Sequence, residues 1–204
     1  PPLIWVQGDP ALFARPMIAL VGARNASSLG TRMTRRMAGD LASAGFVVVS
    51  GLARGIDTAA HLASIESGTV AVLAGGVDVV YPSENASLMQ EIGEKGCLLS
   101  EQPIQLQPQA RHFPARNRII SGLCRAVVVV EAATRSGSLG TASHALAEEA
   151  DLDGAYCFAY SPRPGTPAAK GPDDVPRDLK EKRLAVLLAR MEKASVRKAA
   201  AQVG

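Results

Sequence analysis

Four stretches of this 204-residue chain combine glycine with serine, arginine or aspartate. They are VGARNASSLG at 21–30, SGLARGID at 50–57, AGGVD at 74–78 and EAATRSGSLG at 131–140. The chemistry open to such segments is anion binding. Glycine lets the backbone approach an anion closely, exposed N–H groups face it, and a neighbouring arginine supplies charge. Any one of them could be an ordinary tight turn between a strand and a helix. Four together point to a phosphate-binding crevice.

A fifth stretch, HFPARNRIISG at 112–122, places Arg116 and Arg118 around Asn117 in the first turns of a helix, close to the aromatic Phe113. Cations at a helix N-terminus oppose its dipole, so the arrangement asks for an anion there. Two readings stand. The guanidinium groups could hold phosphates while Phe113 or the arginine planes stack on bases. Alternatively the arginines form a network with carboxylates and Phe113 packs in the core.

Other chemistries find less support. Asp57 and His61, four residues apart on one helix face, could act as an acid/base or metal pair. The plainer reading is that Asp57 favours the helix N-terminus and His61 packs beneath it. No metal site and no cofactor is expected. The chain has no P-loop, no G-x-G-x-x-G after its first strand and no nucleophile elbow, which argues against an NTPase, an ordinary NAD enzyme or a triad hydrolase. Cys97, Cys124 and Cys157 are odd in number and widely spaced, so they read as small buried hydrophobes in a reducing cytoplasm.

The elements that would position these loops follow from periodicity. Short apolar runs at 17–21, 46–49, 70–73, 97–99, 126–130 and 155–159 alternate with amphipathic stretches at 31–44, 56–66, 83–94, 114–123, 139–149 and 176–196. That alternation predicts an α/β fold around a mostly parallel sheet. Continuous apolar runs suit strands covered on both faces. Ser83 is a plausible N-cap, and Gly45 and Gly96 stand where helix C-terminal glycines belong. Residues 102–111 read as a polar loop with proline and glutamine, and 165–174 as a second breaker-rich stretch. Ligands of such a sheet bind at the carboxyl ends of the strands, where the Gly-rich stretches fall.

The net charge is +3, but its location matters. Of 22 Lys+Arg and 19 Asp+Glu, residues 150–204 hold 10 and 7, leaving 12 and 12 for residues 1–149. The body is neutral, so a phosphate site there must come from local clustering of arginines. No apolar run is long enough to span a membrane, and the chain shows no signal-peptide pattern. The first residue is Pro rather than Met, so the start is expected to be a fragment boundary.

Residues 1–149 resemble the DprA/Smf (DNA-processing protein A) family. The resemblance is carried in order by VGARNAS, SGLARGIDTAAH, AVLAGGVDVVYP, LLSEQP, FPARNRIISGLC and VVVVEAATRSGSLGTA, preceded by LIWVQGDPALF. It implies a Rossmann-like open sheet with helices on both faces. It also implies single-stranded DNA binding without catalysis, a homodimer, and loading of the RecA recombinase during natural transformation. Taken together, the loop reading and the resemblance give as DNA- and phosphate-binding residues Gly22, Arg24 and Ser27 in the first loop. Ser50, Gly51, Arg54 and Gly55 follow in the second, and Gly75 and Gly76 in the third. Phe113, Arg116, Asn117 and Arg118 come from the helix, and Ser136, Gly137 and Ser138 from the last loop. Some relatives carry a basic DNA-contacting residue before the third strand. Here that place holds only Ser67-Gly68-Thr69.

The tail from about 150 departs from the pattern. Its SPRPGTPAA stretch resembles the end of the radical-SAM domain of MiaB-type tRNA methylthiotransferases, but the chain has no C-x-x-x-C-x-x-C motif. The tail reads as a foreign end joined to a truncated core, with 155–159 expected to fill the next sheet position. The replaced end puts the homodimer in doubt.

Two functions compete with DNA binding. One is an enzyme hydrolysing a nucleotide or phosphoribosyl compound in the same crevice, with Asp57 or Glu131 as acid/base. The other is a scaffold that meets RecA.

Overall fold

The computed structural model describes residues 1–132 and, singly, Asp178 and Ala185. Among the described residues six strands form one sheet: β1 (Trp5–Gly8), β2 (Met17–Val21), β3 (Val47–Ser50), β4 (Thr69–Val72), β5 (Cys97–Ser100) and β6 (Ala126–Val129). Their order is β1-β5-β4-β3-β2-β6; β1 pairs antiparallel with β5 and every other pair is parallel. Between the strands lie α1 (Ser28–Ser43), α2 (Ile56–Ser64), α3 (Ala86–Lys95) and α4 (His112–Leu123).

The alternating side chains of the strands make two cores. On one face Met17, Ala19, Val21, Val47, Val49, Val70, Val72 and Leu99 pack with Ile119 and Ile120 of α4. Leu12, on a 3-10 turn over Pro10–Ala14, packs there too. On the other face Leu20 and Val48 meet Ala38 of α1 and Ala60 of α2. Ala71 and Leu98 meet Leu88, Met89 and Ile92 of α3 on that same face. Strands β3, β4 and β5 are buried at every residue, as central parallel strands flanked by helices must be.

The predicted α/β fold with a mostly parallel sheet and helices on both faces is the one observed. β1 has no counterpart among the predicted strands. WVQG is a short edge strand, three of its four residues are exposed, and it carries no two-residue alternation. Ser83 does not cap a helix. A 3-10 turn over Ser83–Asn85 precedes α3, Asn85 takes the N-cap position, and the Ser83 hydroxyl turns to Glu84. Gly45 and Gly96 follow the ends of α1 and α3 as expected. Cys97 and Cys124 are buried free thiols. The predicted strand at 155–159, the helices at 139–149 and 176–196, and Cys157 lie outside the described residues.

The chain runs from β2 outward through β3, β4 and β5, then returns to place β6 on the other side of β2. The sheet's topological switch point therefore falls between the carboxyl ends of β2 and β6. The first, second and third Gly-rich loops leave the carboxyl ends of β2, β3 and β4.

Candidate nucleic-acid interface

The second loop, residues 51–55 between β3 and α2, is wound tightly. Leu52 is fully buried in the left-handed region at φ 56, and Gly55 lies at φ 79, a conformation that suits glycine. The Asp57 carboxylate accepts from the Gly51 and Ala53 N–H groups at 3.2 and 3.3 Å. From the far side, the Asn85 amide donates to the Leu52 carbonyl at 2.9 Å and pairs with Thr58. The result is a rigid loop whose one long exposed side chain is Arg54.

Arg116 rises from α4 beneath this loop and is 6% exposed. Its Nη1 donates to the Gly51 carbonyl at 2.7 Å and to the Val72 carbonyl. A Cβ on residue 51 would sit 2.5 Å from that nitrogen, so a side chain there would push the guanidinium off the backbone. Burial pushes Arg116 down to about 10, opposed by the Asp57 carboxylate and reinforced by Arg24. Burial likewise raises Asp57, which Arg116 and the two N–H donors counteract. Asn117 accepts from Arg116 Nε, and Arg118 ion-pairs with Glu101. Arg116 and Arg118 are thus tied into an internal network, as the second of the two arrangements has it for the arginines. Arg116, however, meets carbonyls rather than carboxylates, and Phe113 lines a cavity instead of packing in the core.

The first loop is locked as well. Ile56 donates its N–H to Ala23, and a Cβ on Gly55 would collide with the Ala23 carbonyl. Ser27 caps α1, accepting from the Gly30 N–H at 3.0 Å. Both its own N–H and its hydroxyl donate to Glu131 Oε2 at 2.9 Å. Glu131 thus puts a carboxylate against the start of α1, the place where an open α/β sheet takes a dinucleotide phosphate. Gly22 offers no space either, since a Cβ there would meet Ile56. The Ser50 hydroxyl donates to the Leu20 carbonyl at 2.6 Å.

The polar loop at 102–111 covers the third Gly-rich segment. Gly76 donates its N–H to Leu106 at 2.9 Å, and the Asp78 carboxylate accepts from the Gln105 N–H at 2.8 Å. Gly75 is held through its carbonyl by the Ser100 hydroxyl at 2.7 Å.

Above these layers opens a cavity of about 320 Å³ whose lining includes Arg24, Arg54, Tyr81, Glu84 and Phe113 over an apolar floor with Leu73 and Val79. Arg24, exposed, holds its guanidinium carbon 5.3 Å from the centre of the Phe113 ring. Tyr81 packs on the same ring at 5.5 Å and 52°, and is itself 47% exposed. Arg54 meets Glu84 at 3.4 Å across the mouth. A cation stacked on one aromatic ring beside a second, part-exposed ring can hold a phosphate and present a face to a base.

The cavity lining includes Arg24, Gly51, Arg54, Gly75 and Phe113 of the expected set. Gly22, Ser27, Ser50, Gly55, Gly76, Arg116, Asn117 and Arg118 lie behind or beside it. Ser136, Gly137 and Ser138 fall outside the described residues. Sequence reasoning missed Tyr81, Glu84 and Asn85, which come from YPSEN, a segment without the glycine signature. Asp57 and His61 do not form an acid/base pair at the cavity. His61 lies against Thr69 Oγ1 through Nδ1 at 2.9 Å, and burial, aided by Arg116, holds it down to about 3. Among the described residues no group of side chains could hold a metal ion, and no helix is long and apolar enough to cross a membrane.

The sequence model of the DNA recombination-mediator protein A family matches residues 1–175, most of the chain. The chain belongs to this family. DNA processing protein DprA of Streptococcus pneumoniae is 46% identical over 154 residues, 74% of this chain and 54% of that protein. Its solved structure superposes with a TM-score of 0.70 at 43% identity, covering 76% of this chain and 55% of that one. DNA processing protein A of Helicobacter pylori, solved for its single-stranded DNA binding mode, gives a TM-score of 0.71 at 29% identity, covering 80% and 74%. The chain spans about half the length of curated relatives such as the pneumococcal protein.

The family match runs past residue 149, where the motif resemblance ends. The resemblance of the tail to tRNA methylthiotransferases is matched by a short similarity. It is to tRNA-2-methylthio-N(6)-dimethylallyladenosine synthase of Deinococcus radiodurans, 52% identical over 59 residues, 29% of this chain and 12% of that enzyme.

Proposed function

We propose that this chain binds single-stranded DNA at the mouth of the cavity, as a binding module rather than an enzyme. The observation that carries the reading is Arg24, an exposed guanidinium stacked on Phe113 with Tyr81 alongside. Phosphate is held by Arg24 and Arg54, and a base lies against the Tyr81–Phe113 surface. Gly51, Arg116 and Asn117 support that mouth from below; Gly22, Ser27, Ser50, Gly55, Gly75 and Gly76 shape the loops; Arg118 borders it, and Ser136, Gly137 and Ser138 are further DNA contacts that the family resemblance implies. The Helicobacter pylori relative, which binds single-stranded DNA, supports the substrate class.

Neither acid/base candidate is free for catalysis. Asp57 caps the second loop and Glu131 caps the first, which favours binding over nucleotide hydrolysis. Incubation with nucleoside monophosphates should release no base. Family membership supports the wider role of a cytoplasmic, homodimeric protein that passes single-stranded DNA to RecA during natural transformation.

The test is a salt-titrated oligonucleotide-binding assay. Arg24→Ala should weaken binding about tenfold at low salt and flatten the log K against log[salt] slope by about 0.7, one phosphate's share for a single strand. Unchanged affinity in that variant refutes the site.

A further inference from the structure

A site meant for phosphate should not hold a carboxylate, yet Glu84 lines this cavity opposite Arg54. The placement is built in rather than incidental to a loose loop. Glu84 lies on the 3-10 turn over Ser83–Asn85, and the next residue, Asn85, is 6% exposed. The Asn85 amide grips the Leu52 carbonyl and Thr58, fixing the turn to the loop that carries Arg54. The Ser83 hydroxyl donates to Glu84 Oε2 at 3.3 Å, leaving Oε1 to meet Arg54. The carboxylate is therefore presented to the guanidinium by two fixed segments, while Arg24 leans on an aromatic ring instead.

We infer that Glu84 is a resident competitor for the phosphate at Arg54, and so sets how strongly and how selectively the cavity takes a polyanion. This rests on the reading of the cavity as a single-stranded DNA site. Binding exchanges the Arg54–Glu84 pair for an Arg54–phosphate pair and leaves a carboxylate beside the new anion. The pair is half-exposed, so the exchange is cheap enough to occur yet penalises every strand that enters. A strand that also stacks on the Tyr81–Phe113 surface overcomes the penalty. A polyanion that offers charge alone does not.

The experiment measures binding of an oligothymidylate and of heparin, a polyanion without bases, across a salt series. It compares wild type, Glu84→Gln, Arg54→Ala, the double variant and Arg24→Ala. Glu84→Gln keeps size and hydrogen bonding while removing the charge. It should tighten oligothymidylate about three- to tenfold at low salt and steepen the salt slope by about 0.7. Heparin should gain at least as much, so selectivity falls. Arg54→Ala should cost little in wild type and about tenfold in the Glu84→Gln background, a coupling that a merely structural Glu84 would not produce.

If Glu84→Gln leaves affinity and slope unchanged while Arg24→Ala still weakens binding, the competitor role is overturned and the site stands. Weaker binding in Glu84→Gln also overturns it. If Arg24→Ala has no effect, the site itself has failed. Melting temperatures of all variants show whether the fold is intact.

Discussion

Replacing Arg116 separates a side chain that builds the site from one that touches DNA. In Arg116→Ala two buried carbonyls, Gly51 and Val72, lose their donor, and the buried Asp57 carboxylate loses the cation that lowers its pKa. A buried acceptor left without its donor costs about 1–3 kcal/mol. The two carbonyls share one guanidinium nitrogen, so their losses are coupled and not simply added. Arg116→Lys keeps the charge but lacks the planar guanidinium and the Nε–H that meets Asn117, and should cost roughly half as much. Urea unfolding followed by circular dichroism reads both, with the midpoint shifting at constant m. Arg24→Ala, exposed at the mouth, should stay within about 0.5 kcal/mol of wild type in the same assay. If Arg116→Ala loses less than about 1 kcal/mol and yet abolishes DNA binding, the internal network is wrong and Arg116 is itself a DNA ligand.

Two further outcomes follow from groups the cavity does not use. His61 is held down to about 3 in the fold against 6.5 when free, so between those values the unfolded chain binds more protons and stability rises with pH. His61→Leu should therefore remove up to about 1.4 kcal/mol per pH unit from the slope of unfolding free energy between pH 3 and 6.5; an unchanged slope contradicts a neutral, buried His61. Glu131→Ala should uncover the Ser27 N–H, destabilise the fold by about 1–2 kcal/mol and speed hydrogen exchange at the start of α1. Exchange protection equal to wild type would mean that Glu131 does not hold the first loop.

The sheet was legible because its strands are apolar runs bounded by glycine. β2 falls at Met17–Val21 as predicted, and the other four parallel strands fall within a residue at each end. β1 was not legible because its pairing among the described residues is with β5, almost a hundred residues away. The site was half legible. Arg24, Arg54 and Phe113 could be read from loop and helix patterns. Whether Arg116 and Arg118 face solvent or interior could not, because that is decided by Gly51 and Glu101, at separations of 65 and 17 residues. Tyr81 and Glu84 carry no local signature, since their role comes from packing YPSEN against the second loop.

The neutral charge of residues 1–149 acquires a physical meaning from this arrangement. Arg116 and Arg118 answer carboxylates or carbonyls inside the fold, and Arg54 answers Glu84. Asp57 and Glu131 fill the backbone cradles that in a nucleotide-binding sheet would meet phosphate. Internal neutralisation of this kind fixes the loops at the cost of long-range attraction, so affinity must rest on very few free cations. With Arg24 engaging phosphate and Arg54 offset by Glu84, the described residues contribute a salt slope of about −0.7 on single strands, and about −1.4 in Glu84→Gln. A much steeper slope would assign the remaining contacts to residues beyond 132, where the chain's excess of basic residues lies. The slope therefore measures how far binding is the work of the cavity and how far that of the basic tail.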